Sequence, residues 1–250
     1  MRSLPLATAI AFTATTAVAA DTREYDFEDF TAIEVSSGIT VTIEQGASFH
    51  VEAEARRGNL RRLEISLDGD TLEIDRRTPW GILGFGRRDR FEVTITVPDL
   101  ESAQASSGSS VSITGAFEDA LKLGASSGAS LSLDSPIRAD LDIDASSGAS
   151  VSADDLDVQA LTVEASSGAS VNLTGNCVDI DAEAGSGASL SAKSLECETA
   201  VADAGGGASL SVFASDEAKA RASGGASLSV HGKPPVVEST ASGGASISIR

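Results

Sequence analysis

The sequence holds 37 carboxylates, and four of them fall in step. Asp144, Glu164, Glu183 and Asp203 each stand four residues ahead of a glycine: Gly148, Gly168, Gly187 and Gly207. If those glycines mark equivalent points of stacked segments, the four acids form an outward ladder about 5 Å apart. Such a ladder must repel unless it is screened or shared by a divalent cation. These four are the candidate metal ligands, although the glycine-aspartate nonapeptide of calcium-binding β-rolls is absent and a solvated acidic face is the plainer reading; no metal or cofactor is assigned. A second acidic pair, Asp154-Asp155, is the kind of group that β-helical polysaccharide lyases and hydrolases combine with Arg or Lys. The two histidines, His50 and His231, neighbour no nucleophile in the sequence pattern. No catalytic residue is assigned.

Hydroxyls are the next chemistry on offer. Two columns of serine recur two and four residues after successive glycines: Ser110, Ser130, Ser150, Ser170, Ser189, Ser209, Ser227 and Ser246, then Ser112, Ser132, Ser152, Asn172, Ser191, Ser211, Ser229 and Ser248. Ser130, Ser150 and Ser170 stand for a flat S-x-S lattice that can meet a repetitive ligand such as a glycan. The alternative is a ladder of hydroxyls that bond to one another and keep the face soluble. Between two strand-like segments, RRTPWGILGFGRRDR at 76–90 combines Trp80, Ile82 and Phe85 with Arg87 and Arg88. This basic, aromatic loop is either a tip that touches a partner or a cap folded over the first coil.

The element that positions these groups is a repeat. ASSGASLSL at 125–133 has cousins throughout the second half of the chain. Its anchoring glycines, from Gly108 to Gly244, are spaced 20, 20, 20, 19, 20, 18 and 19 residues apart. After each glycine, small or apolar residues alternate with hydroxyls, as in Ala129-Ser130-Leu131-Ser132-Leu133, the period of a strand with one buried face. A second alternating segment ends at each glycine, as in Leu141/Ile143/Ala145. Two or three short strands per 20 residues predict an all-β fold: a single-stranded parallel β-helix, each coil pairing with the next. An antiparallel sandwich would not need such identity between successive copies.

Within that frame Cys177 and Cys197 lie ten residues before Gly187 and Gly207. They are expected one above the other on adjacent coils, within disulfide reach, and they are the disulfide candidates. Two stacked thiols filling the interior are the other reading.

The formal charge is −19, with 10 Arg against 17 acids in residues 21–100 and 7 basic residues against 20 acids in 101–250. That balance excludes nucleic acid as a partner and speaks against anionic membrane surfaces. Residues 1–20, with Arg2, an apolar run and Ala17-Val18-Ala19-Ala20, read as a secretory signal. The expected product is exported, to periplasm, cell surface or medium. No later stretch is long and apolar enough for a spanning helix. Residues 21–104 form a β-rich N-terminal part, with a hairpin turn at Asp68-Gly69-Asp70 and the inserted loop 76–90. Residues 105–250 form the repeat region, continuous with it.

Three blocks carry a further likeness: FTAIEVSSGITVTIEQGASFHVEAEA at 30–55, LEISLDGDTLEI at 63–74 and FEVTITVPDLESAQASSGSSVSI at 91–113. In this order, ahead of glycine-serine repeats, they resemble the bacterial exported proteins with a head GIN domain, classed as autotransporter adhesin heads and as a domain of unknown function. The resemblance implies an all-β, β-helix-like exported domain and no established activity. Nothing after Arg250 forms a translocator barrel, so the autotransporter role is not expected to come with it. The reading is a non-enzymatic binding or structural module of the cell envelope, with an envelope protein or a glycan as partner. A β-helical carbohydrate-active enzyme is the alternative. The terminal strand ISIR at 247–250 presents an unpaired edge, and either a homo-oligomer through that coil or a loosely ordered last coil is expected.

Overall fold

The computed structural model describes residues 21–77 and 89–250. The alternation seen in the sequence becomes strands with one face inside. In Ser130–Asp134, Leu131 and Leu133 are buried and the serines face outward; in Leu141–Ala145, Leu141, Ile143 and Ala145 are buried. Strands of successive repeats pair in parallel and in register, Ser130 with Ser150 and Ile143 with Val163. The result is an all-β solenoid of about 7 turns with about 20 residues per turn. Among the described residues the only helical piece is a 3-10 turn at Leu60–Arg62.

The corner between the two strands explains the invariant glycine. Ser147 and Gly148 both have positive φ, 52° and 71°, and the Ala149 N–H donates to the Ser146 carbonyl at 3.0 Å. This is a type I′ reversal, which demands the left-handed region at both central positions. The Gly148 N–H donates in turn to the Ser167 carbonyl of the next coil at 3.1 Å, and Gly108, Gly128 and Gly168 make the same bond. The corner glycines therefore stand in a line, each tying its coil to the next. Ser109, where seven copies have Ala, is buried, and its hydroxyl donates to the Val35 and Ser106 carbonyls.

The third side of the coil is irregular at first. From Ser150 onward it becomes strand, so that Ser150–Ala165, Ser170–Ala184 and Ser189–Ala204 run through two bends. The interior is narrow enough to be filled by stacked small side chains, such as the buried Ala125, Ala145, Ala165 and Ala184.

Residues ahead of the repeats continue the same stack. Ala32–Val35 pairs with Ser102–Ala105, and Thr40–Gln45 with Ser110–Thr114, both in parallel. Beyond them the pairing turns antiparallel. Arg90–Val97 lies parallel on Thr40–Gln45, His50–Arg57 runs antiparallel to it, and Asp21–Tyr25 antiparallel to that. The hairpin Leu63–Asp68/Thr71–Arg76 closes the other sheet. Phe30 and Phe91 are fully buried in this cap, where the end of the stack must be covered by larger side chains than the coils use. The arm at 54–62 is strand as far as Arg57, with the 3-10 turn beyond it, and Glu217–Ala222 is a strand that stacks on Thr199–Ala204.

Candidate functional site

The most regular surface is the serine face. Parallel pairing in register puts Ser110, Ser130, Ser150, Ser170, Ser189, Ser209, Ser227 and Ser246 in one exposed column. Thr40 and Thr42 extend the two hydroxyl columns toward the cap. Coils stack about 4.8 Å apart, whereas hydroxyls bond at about 2.8 Å. Successive hydroxyls in a column are thus too far apart to satisfy one another. Accordingly, no side-chain bond links neighbours within either column among the described residues. Ser152 donates to Asp154 instead, at 3.0 Å.

On the other sheet the carboxylates lie as the spacing predicts: Asp144 beside Glu164, Glu164 beside Glu183, Glu183 beside Asp203. Basic residues sit at both ends. Lys122 bridges Asp142 and Asp144 at 3.1 and 3.2 Å, and Arg221 lies 3.5 Å from Asp203. The hydrogen bonds from Lys122 to Asp142 and Asp144, with the carboxylate charges behind them, hold its ammonium above the ordinary lysine range. The ladder forms one wall of a groove of ≈ 730 Å³, floored by Ala145, Ala165 and Ala184. A linear arrangement spreads charge along the rod instead of focusing it. Among the described residues no three His, Cys, Asp or Glu side chains converge on a point where a metal ion could sit.

The other acidic and histidine candidates are dispersed. Asp154 accepts from Ser152 and Thr174 at a bend, His50 is exposed 3.9 Å from Glu52, and His231 stacks in register with Phe213. Cys177 and Cys197 are register partners with Cα atoms 4.4 Å apart and their sulfur atoms facing within bonding reach. Trp80, Ile82, Phe85, Arg87 and Arg88 lie outside the described residues, as does the leader at 1–20.

One feature is not legible in the sequence. Arg56 and Arg57 meet Arg76 and Arg90 around a cavity of ≈ 850 Å³ in the N-terminal cap. The sequence shows two arginine-rich stretches. It does not show that antiparallel pairing folds one onto the other.

With the geometry in hand, comparison with known proteins decides the family. Residues 29–234 match the family described as "Putative auto-transporter adhesin, head GIN domain". The chain belongs to the head GIN domain family. Solved structures share the fold of this GIN domain. A "putative lipid binding protein" from Parabacteroides distasonis is 15% identical, with a TM-score of 0.80 over 92% of this chain and 96% of that one. A "putative adhesin" from Parabacteroides merdae is 18% identical, with a TM-score of 0.79 over 92% and 96%. A "putative adhesin" from Bacteroides fragilis is 18% identical, with a TM-score of 0.66 over 94% and 98%. No curated protein matches the sequence. Neither the family nor these neighbours carries an enzyme's name. Among the described residues no helix is long and apolar enough to cross a membrane.

Proposed function

We propose that this GIN domain is an exported, non-enzymatic module of the cell envelope, whose serine face docks on a repetitive glycan in adhesin-like contact. One comparison within the molecule carries the reading. Two outward columns face the same structural demand, yet one is uniform and the other is not. The column two residues after each glycine is serine in all eight copies. The column four residues before it reads Gln104, Gly124, Asp144, Glu164, Glu183, Asp203, Arg221 and Thr240. Folding tolerates almost anything at an outward strand position, so uniform serine reflects a demand from outside the fold. Hydroxyls too far apart to bond one another stay available to a polymer that offers its own hydroxyls at a regular period. A lyase or hydrolase needs converging carboxylates, which the in-line ladder does not provide. The groove beside the ladder is lined by carboxylates and serines as well as alanines, which suits a lipid chain poorly.

The basic, aromatic loop 76–90 is a second contact in this reading, and the outer edge of the last coil pairs with a second copy. Periplasm, surface and medium all fit. A glycan array probed with the chain and with the triple variant Ser130→Val, Ser150→Val, Ser170→Val tests the proposal. The variant should keep its β-rich circular dichroism and lose binding at least about tenfold, the loss of one or two polar contacts. Equal binding by both proteins would refute it.

A further inference from the structure

One stretch of the sequence runs against the charge of the molecule. Residues 56–90 hold nine of the fourteen arginines and only six acids, in a chain of formal charge −19. Four of these arginines, Arg56, Arg57, Arg76 and Arg90, line the ≈ 850 Å³ cavity, against Asp89 and Glu92. The two carboxylates are already engaged. Glu92 pairs with Arg56 at 2.8 Å, and Asp89 with Arg62 at 3.0 Å.

Three guanidiniums remain without a carboxylate among the described residues. Arg57 and Arg90 are register partners across the antiparallel pair, just past an irregularity after Ala55, and like charges on facing positions of a strand pair cost stability. Arg76 stacks on the Phe91 ring at 5.3 Å and donates one bond to the Asp89 carbonyl, and its Nε is buried with no acceptor among the described residues. A buried donor without a partner is rare and is one of the features a bound anion would account for. Thr40 and Ser37 line the same cavity and add hydroxyl donors.

The geometry points to an anion site in the cap that takes a phosphate group. The lining carries two more guanidiniums than carboxylates, which matches the charge of about −1.5 to −2 on a phosphate monoester near neutral pH. The planar fork of arginine suits its oxygens in a way a lysine ammonium does not. The same chemistry is offered by a soluble phosphate ester and by a lipid headgroup. The strongly acidic remainder of the rod opposes approach to an anionic bilayer, so the soluble source is the one expected. This site lies on the cap, away from the central coils of the serine face, and stands or falls independently of the glycan reading.

Calorimetric titration of the whole chain with inorganic phosphate at low ionic strength tests the site. One site per chain is expected, weakening as salt is raised. The double variant Arg57→Gln/Arg90→Gln should weaken binding at least about tenfold, in the range for loss of charge-assisted hydrogen bonds. Arg76→Lys, which keeps the charge and removes the fork, should weaken it too. Arg138→Gln, far along the rod, should leave it unchanged. Thermal unfolding of each variant shows whether the fold is kept, and the cap should not be destabilised by losing the Arg57/Arg90 repulsion. Vesicles of phosphatidylcholine with phosphatidic acid separate the sources. Phosphate binding without sedimentation supports a soluble ester, and sedimentation that the double variant abolishes supports a headgroup. Absence of phosphate binding, or equal binding by the folded double variant, overturns the proposal.

Discussion

Two glycines in this solenoid should respond differently to the same added methyl group. At Gly148 a Cβ would meet nothing within 4 Å, so Gly148→Ala pays only for holding a non-glycine residue at φ 71°. The left-handed region costs an L-residue about 1–2 kcal/mol. The lower chain entropy of alanine in the unfolded state returns about 0.4–1 kcal/mol of that. The expected net loss is about 0.5–1 kcal/mol. At Gly175, φ is 125° and the added Cβ would land on the backbone of Leu156 in the coil below. Here two coils must part, breaking the register between the strands at 150–165 and 170–184. Overpacking of that kind adds about 1–3 kcal/mol to the backbone penalty, so Gly175→Ala should lose at least about 2 kcal/mol more than Gly148→Ala. Ser147→Gly is the converse test: it relieves Ser147 at φ 52° and should be neutral or slightly stabilising. Urea unfolding followed by circular dichroism, with the slope compared between variants, gives all three values. Equal losses at Gly148 and Gly175 with unchanged slopes would refute the assignment of one as a free corner and the other as a contact between coils.

Further expectations concern the cysteines, the acid limb and the last coil. A bridge between Cys177 and Cys197, separated by 20 residues, contributes about 3 kcal/mol by closing that loop in the unfolded chain; thiol titration under denaturation should find no free thiol, and reduction should lower the melting temperature. Burial pushes the Asp75 carboxyl up, but bonds from Ser36, Ser37 and the Arg76 N–H, with the Arg76 charge, outweigh it and hold the group below its ordinary value. Its contribution is therefore present above the unfolded value near pH 4 and disappears as pH falls through the lower folded value. Asp75→Asn should lower stability at neutral pH and flatten the acid limb of the unfolding curve. Asp119 runs the other way, raised by its bond with Asp99 and by that carboxylate's charge, so Asp119→Asn should raise the melting temperature at neutral pH. Val236, Val237 and Ile249 are exposed on the outer edge of the last coil. Sedimentation should show an oligomer, which Val237→Lys disperses; a monomer with a well-protected terminal strand would argue against that pairing.

The architecture was legible because its cause is local and repeated. Each copy states its own inward residues, and Leu131, Val151 and Val171 lie in line because the glycine spacing permits no other register. The cap was less legible. Its strands at 50–57 and 90–97 are brought together by antiparallel pairing across a long separation, and no period announces it. Hence the arginine cavity escaped a reading that found the acidic ladder residue by residue. The ladder shows the other side of this: spacing places its carboxylates in register, but a register says little about their chemistry. Periodic stacking can only arrange identical groups in rows, and a metal site or a catalytic pair needs groups converging from different directions. A row is suited to something that is itself a row. The regular part of this molecule is therefore the place to look for a polymeric ligand, and the aperiodic cap the place to look for a small one.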